Sequence, residues 1–542
     1  MAAGVRTPVV PGESPSTRTG IGATGGPPGP RVGRTGAPPA PAAATRLGRH
    51  RYLAEQLSAR VSWELWQWCE RAARAILGRT FWTTPRRVRA LTGAVLGTLL
   101  LCAAVGATVL GGARASVAQI GQRAAPQAVR AADLYFALSD MDAQAANLLL
   151  VGADGKDYAQ RKGVHDLYDQ RRAQADQDLE RATEAAAGDP VGRQAVADVL
   201  DALGDYEALV AREDLQENQD QSLPGHPPAS ALVSYQQATD LLRDRLLPGA
   251  DQVADASAAS VERVYTGQRA DLDSGRWWLL ATGVLALLAV AALQYTLAVR
   301  YRRLVSPPLV AAALLAVIGL GYALVLAAGT ADRLHTAKSS AYDSVLALSR
   351  ARAVAYDSNA DESRWLSDPG RADTYQRTFL DKTQSIALFD GATLQSYDGR
   401  LAGAIQDHQR DPHAVGFGGY LGDELRNVTF PGEQQAADQV LADFAVYQRD
   451  DRTIRDLQGQ GHFAEAIAFD TGSRPGQSNG DFGRLSADFD QVIAINQRAF
   501  DDTVRQSEDD LGSGAAAVGA GLLGAALVLT VLAVRPRLRE YR

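Results

Sequence analysis

Cysteine is nearly absent from this chain. The two in 542 residues, Cys69 and Cys102, lie before or within the first apolar run, and the long polar segments beyond it have none. Those segments cannot rely on disulfides and must fold by burying apolar surface, for which each is long enough. Histidine is scarce as well. His50, His165, His226, His335, His408, His413 and His462 form no cluster at metal-ligand spacing, and solvent-exposed histidines are expected at His408 and His413. No glycine-rich phosphate loop follows a strand and no serine sits in a nucleophile elbow, so no enzyme, cofactor or metal site is expected, and no nucleic-acid partner. Alternating Val/Ile/Tyr runs are missing, which argues against strands. The many carboxylates fit solvated helix faces.

Charge is missing from four runs: Ala90–Ala113, Trp277–Val299, Leu304–Ala331 and Leu511–Val534. A bilayer core of about 30 Å needs ~20 helical residues, so each run can span a membrane. Flanking charge orients them. Residues 1–90 carry 14 Arg against 4 acidic residues, and Arg300, Arg302 and Arg303 sit in the short turn between spans two and three. Arg535, Arg537, Arg539 and Arg542 follow span four. Basic flanks stay cytoplasmic, which places both termini and the 300–306 turn inside. Loop one, 114–276, and loop two, 332–512, carry a net charge of −12 over residues 114–275 and −12 over residues 332–510, and are expected outside. Ala113-Arg114-Ala115 fits a signal-cleavage pattern, but about ninety residues precede it and the apolar core is too long, so a retained span is expected.

Residues 1–46 are rich in Pro, Gly, Ala, Thr and Ser without apolar period and are expected to be a disordered cytoplasmic tail. In 47–89, Leu53, Leu57, Val61, Leu65, Trp68, Ala72 and Ile76 recur at helical spacing among arginines, giving an amphipathic helix for anionic lipid or a cytoplasmic partner. Each loop reads as four helices, near 113–151, 156–187, 191–218 and 230–274 in loop one and near 332–366, 371–409, 433–470 and 481–512 in loop two. The outer helices of each continue into spans, and an antiparallel four-helix bundle is the natural packing. Asp133, Ala137, Leu138 and Ser139 echo Asp343, Ala347, Leu348 and Ser349, and Tyr206 and Tyr447 both fall in third helices. With the matching span order, these echoes favour a tandem duplication. The expected fold is therefore an all-α membrane protein with four spans and two external bundles, chemoreceptor-like in layout. The absence of charge within the spans argues against a transporter. The sequon Asn427-Val428-Thr429 is too short to weigh.

The run 451–482 stands apart. It ends in Asp470-Thr471-Gly472-Ser473-Arg474-Pro475-Gly476-Gln477-Ser478-Asn479, a helix C-cap and Pro-Gly turn that would lie at the membrane-distal tip. Asp470, Thr471, Ser473, Arg474, Gln477, Ser478 and Asn479 are the candidate residues for a ligand or partner. Trp63, Trp66, Arg71, Arg74, Arg300, Arg302 and Arg303 are the candidates for cytoplasmic output. Together with Gly432-Glu433-Gln434 and Tyr447-Gln448, the 451–482 run resembles the actinobacterial GlnX family of four-span membrane proteins, over roughly residues 88–540. That resemblance implies a relay. An extracytoplasmic solute-binding lipoprotein, GlnH, senses an amino acid, and the membrane protein passes its state to the cytoplasmic Ser/Thr kinase PknG. It carries over no binding residue. The rival readings are a direct small-molecule receptor, a structural envelope protein and a transporter subunit; the sequence leaves open whether two chains pair.

Overall fold

The computed structural model describes residues 84–185, 190–301 and 306–539. The 1–46 tail, the 47–89 stretch as far as residue 83, and Trp63, Trp66, Arg71, Arg74, Arg302 and Arg303 lie outside them; Arg300 falls in the last turn of a described helix. The described residues are all-α, with no strand and only two isolated bridges, Leu223–His226 and Leu388–Gly418. Four helical stretches are long and apolar enough to cross a membrane, which fits a multi-pass membrane protein.

The first half comprises α1 (Thr84–Gln119), α2 (Ala125–Val151), α3 (Tyr158–Ala185), α4 (Pro190–Asp220), α5 (Ala229–Leu241) and α6 (Leu247–Tyr301). The second comprises α7 (Pro307–His335), α8 (Asp343–Ser367), α9 (Ala372–Ile386), α10 (Tyr397–Arg410), α11 (Gly419–Asn427), α12 (Glu433–Gly459), α13 (Phe463–Asp470), α14 (Ser478–Asp510) and α15 (Ser513–Arg539). The outer helices of each half run into spans, as the sequence implies. π-helical segments join α1 to α2 at Ile120–Ala124, α5 to α6 at Leu242–Leu246 and α7 to α8 at Thr336–Tyr342. Two of these have a direct cause. Pro126 and Pro248 are the second residues of the following helices; a proline has no N–H to give and crowds the carbonyl four residues back, and the wider turn relieves both. The third segment contains no proline.

Helix α1 packs along α6, α7 along α15, and the two pairs close on each other around Val95, Leu99, Leu293, Leu309 and Ala526. Where the spans leave this core, both halves share one apolar cluster that includes Ile120, Val261, Ala337, Tyr342, Phe500 and Val504. Beyond it, module one packs α2 to α6 around Leu138, Leu149, Tyr206, Tyr235 and Leu246. Module two packs α8 to α12 and α14 around Phe379, Phe444, Tyr447, Leu485 and Phe489, while α13 packs with Leu366, Ile454 and Leu150 of module one. Burying each such side chain contributes roughly 1.5–3 kcal/mol.

Module two departs from four plain helices. The expected helix 371–409 breaks into α9 and α10, because the Ala387–Ser396 stretch has better uses for its backbone groups. Leu388 exchanges both backbone hydrogen bonds with Gly418 at 3.0 and 3.1 Å, and the Gln384 side chain both donates to and accepts from the backbone of Phe389. The Tyr397 hydroxyl sits 2.7 Å from both Thr383 O and Ala387 O. The glycine-rich 411–432 stretch holds a further helix, α11, and the expected helix 433–470 divides at Gly461, where φ is +80°, into α12 and α13. Asn427 of the sequon is structural: its Nδ2 donates to Ser339 O at 3.0 Å and to the Ser344 hydroxyl at 3.0 Å. The four-residue echo does not mark equivalent places, since Asp343 opens α8 while Asp133 lies more than two turns inside α2. The tyrosine echo does better. Tyr206 and Tyr447 are both fully buried, and each hydroxyl reaches the first helix of its own module, at Asp142 and Ser358 respectively.

The tip of module one turns at Gly152, whose φ of +71° is left-handed and whose Cα faces Ser222 O so closely that a Cβ would lie 2.7 Å from it. Gly152→Ala is expected to destabilise the protein by about 2 kcal/mol, from strain and lost contact together. Thermal unfolding of the purified full chain reads this; an unchanged midpoint would contradict it.

Candidate functional site

The two modules meet along α2 and α8, the most extensive helix pairing in the molecule outside the spans. The residues dictate this closeness. Ala131, Ala137, Ala145 and Ala146 on α2 and Ala351, Ala355 and Ala360 on α8 are all buried, and small side chains let helix axes approach. Over their span-distal halves both helices are buried on nearly every face. Such a helix has no solvated side on which to put its polar residues. The expectation of solvated carboxylates therefore fails here: Asp140, Asp142, Asp357, Asp361 and Glu362 are at most 6% exposed.

Arg364 of α8 organises the first group. Its guanidinium contacts Asp142 of α2 and Asp361 of its own helix, reaches Asp357 at 3.4 Å, and donates from Nε to the Tyr235 hydroxyl at 3.1 Å. Tyr206 completes Asp142 by donating to its Oδ1 at 2.9 Å. On the other side, Lys382 of α9 reaches Asp361 Oδ2 at 2.6 Å and Asp357 Oδ2 at 2.9 Å. Two cations thus face three carboxylates. Burial alone would raise the Asp357 carboxyl, but Lys382 and Arg364 overrule it and hold it below its usual range.

A second group shares α8 with the first and is short of positive charge. Glu362, Asp451 and Asp470 gather around Arg455, which grips Asp451 through Nε and Nη2 and stacks over Trp365 and Phe379. Burial, then the neighbouring Asp451 and Asp470, pushes Glu362 well above its usual range. Burial pushes Asp470 up to about 7, the Ser363 hydroxyl working against it and Asp451 with it. The Ser363 hydroxyl lies 3.1 Å from both Asp470 Oδ2 and Asn147 Oδ1. It has one hydrogen to give. A protonated Asp470 resolves the conflict by donating to Ser363, which then donates to Asn147 on α2 of the other module.

The 470–479 run is thus anchored between the modules instead of hanging free at the tip. Asp470 and Ser478 are fully buried, Ser478 donates to Glu362 at 3.3 Å, and Asn359 donates to Asn479 at 3.5 Å. Thr471 O accepts from Gln160 of module one at 3.0 Å. Gln477 folds back, donating to Ala468 O and accepting from the Arg474 backbone, while Ser473 and Arg474 remain exposed. His408 is likewise buried, not exposed: its Nε2 lies 2.9 Å from Asp438, whereas His413 is exposed.

Further links tie the halves. Arg352 of α8 pairs with Asp133 of α2 at 2.9 Å, Arg371 with Asp240 at 2.9 Å, and Gln236 donates to Asp368 at 2.8 Å. The Phe136 ring of module one lies between the guanidinium groups of Arg171 and Arg352, with Tyr356 edge-on at 4.8 Å. Nearer the spans, Lys338 pairs with Glu262 at 2.6 Å and the Tyr265 hydroxyl contacts His335 at 3.1 Å. Asp142, Arg364, Glu362 and Asp451 were not among the sequence candidates. The available signal was the stretch Ala137–Val151, in which Asp140 and Asp142 sit among alanines and leucines that leave no polar face. Among the described residues no His/Cys/Asp/Glu group is arranged to hold a metal ion.

The model of the actinobacterial sensor domain family matches residues 116–266, which is module one with its entry and exit helices. No curated protein and no solved structure matches the chain. Over that stretch the chain is similar to actinobacterial sensor domains, which together with the four apolar helices fits a membrane protein of the sensor class.

Proposed function

We propose that the chain is a non-enzymatic signal relay across the membrane. The observation that carries this reading is continuity. Both helices of the central pair, α2 and α8, run through π-helical segments into spans α1 and α7, so a shift at their buried charged contact has a stiff route to the bilayer. A binding event moves such a contact only by its differential affinity for two arrangements. A junction of charges that must stay paired favours discrete arrangements over gradual ones. The arginine flanks support cytoplasmic termini and external modules.

In the fuller form of this reading, a solute-binding lipoprotein carrying an amino-acid signal docks on the exposed Ser473–Arg474 edge. The state of the spans is then read inside by a Ser/Thr kinase, at Arg300, Arg302, Arg303 and the 47–89 stretch with Trp63, Trp66, Arg71 and Arg74. A photo-crosslinker in place of Arg474 in intact cells tests the input: capture of a solute-binding lipoprotein is expected, and capture of nothing in both amino-acid-rich and starved cells would sink it. Paired substitutions Asn147→Cys and Ser363→Cys in a chain lacking Cys69 and Cys102 test the relay. Oxidation is expected to freeze amino-acid-dependent kinase output and reduction to restore it; output indifferent to oxidation would refute a moving junction.

A further inference from the structure

Module one contains a cavity of about 460 Å³ between α2, α3, α4 and α6, at the end nearest the spans. It is of the size that holds a small metabolite. Its charged lining is uneven. Arg130, Arg181 and Arg263 are exposed at its mouth. Arg130 and Arg263 form no ion pair among the described residues. Inside lies Asp178, 6% exposed. Arg181 Nη1 approaches its Oδ1 no closer than 3.5 Å, and its Oδ2 receives no hydrogen bond among the described residues. A buried carboxylate oxygen without a donor is costly, by about 1–3 kcal/mol or more for a charged group.

We infer that this cavity binds a small zwitterion, its ammonium on Asp178 and its carboxylate at Arg130 and Arg263. The two halves of the lining ask for opposite charges. A plain polyanion would suit the arginines and be repelled by Asp178; a plain amine would suit Asp178 and be repelled at the mouth. Only a ligand carrying both groups on a short skeleton answers both. Burial, and then the neighbouring Asp133, raises Asp178 to about 6 against Arg181, Gln174 and Arg130, so an arriving ammonium meets a carboxylate that is only partly compensated.

The cavity also touches the junction. Asp255 lines it and pairs with Arg350 of module two, while Asp133, beside Asp178, pairs with Arg352. An occupant that draws on Arg130 or displaces Asp255 therefore alters contacts between the modules. This site rests on the sensing reading but lies apart from the 470–479 edge, and gives module one an input of its own.

The test uses the full chain in lipid nanodiscs. Calorimetry is run with each proteinogenic L-amino acid singly, with the matching 2-hydroxy acids, which lack the amine, and with the matching decarboxylated amines. At least one amino acid is expected to bind saturably, with its hydroxy-acid and amine analogues at least about tenfold weaker, a difference of about 1.4 kcal/mol. Asp178→Asn should fold, since it removes a buried acid held by one long contact to Arg181, and should lose the same factor; so should Arg263→Gln. No binding by any amino acid, equal binding of the analogues, or undiminished binding by Asp178→Asn would overturn the inference. Because these readouts use the purified chain alone, their failure leaves the relay standing, which the oxidised cysteine pair tests separately in cells.

Discussion

Arg364→Met is expected to be among the most damaging single substitutions in the molecule. It leaves Asp142, Asp357 and Asp361 in a buried pocket with only Lys382 to balance them, and Lys382 contacts two of the three. Removing one partner of a buried charged group costs about 3–5 kcal/mol, because the remaining charges stay desolvated and unpaired. Thermal unfolding of the full chain in nanodiscs should show a midpoint lower by roughly 3–5 °C, since the unfolding entropy of so long a chain is large. A compensating change sharpens the test. Adding Asp142→Leu to Arg364→Met removes the carboxylate that Lys382 does not contact, and should recover part of the loss. A double variant that melts lower than the single would show that the cluster is not held by charge balance.

Raising the pH through 7 is expected to loosen module two. Asp470, Glu424 and Asp450 are pushed up to about 7 by burial first, with neighbouring carboxylates adding to it, and Glu362 is pushed up for the same reasons. A carboxyl whose folded pKa lies above its unfolded value of 3.8 binds its proton more tightly in the folded state. Its contribution is fully present below that unfolded value and is lost as pH rises to the folded one. Stability should therefore decline between about pH 4 and pH 7, each tenfold tightening of proton binding on folding being worth about 1.4 kcal/mol. Asp357 works in the other direction: held low by Lys382 and Arg364 against its burial, it stabilises above its unfolded pKa and fails on acidification. Together they place the maximum at about pH 4, where the raised carboxyls still hold their protons and Asp357 is already ionised. Asp470 faces Ser363, Glu362 and Asp451, with Arg455 behind Asp451. Asp470→Asn should flatten the pH dependence, since an amide keeps a donor toward Ser363 at every pH. Melting curves at pH 5 and pH 8 decide this, and a variant as pH-sensitive as the parent would remove Asp470 from the account.

The two sets of residues explain why some features could be read in advance and others could not. Uncharged runs are local properties, and so are the proline- and glycine-marked breaks at 152–155 and 223–228; the expected break at 188–190 lies largely outside the described residues. The break inside 371–409 was hidden because its cause is remote: Leu388 finds Gly418, thirty residues on, and Tyr397 reaches back to Ala387. The 470–479 run could be recognised as a turn from its own residues. That Asp470 and Ser478 point inward depends on α8, more than a hundred residues earlier, which supplies Ser363 and Glu362.

By itself the sequence determined an all-α chain with four apolar helices, each pair continuous with an acidic helical module. It could do so because hydrophobic length and helical period are set by neighbours a few residues apart. Only the tertiary structure decided that the modules fuse along α2 and α8. A helix buried on every face must find charge partners from whatever packs against it, and Asp142 and Arg364, more than two hundred residues apart, become one another's counterion only once the two halves have met.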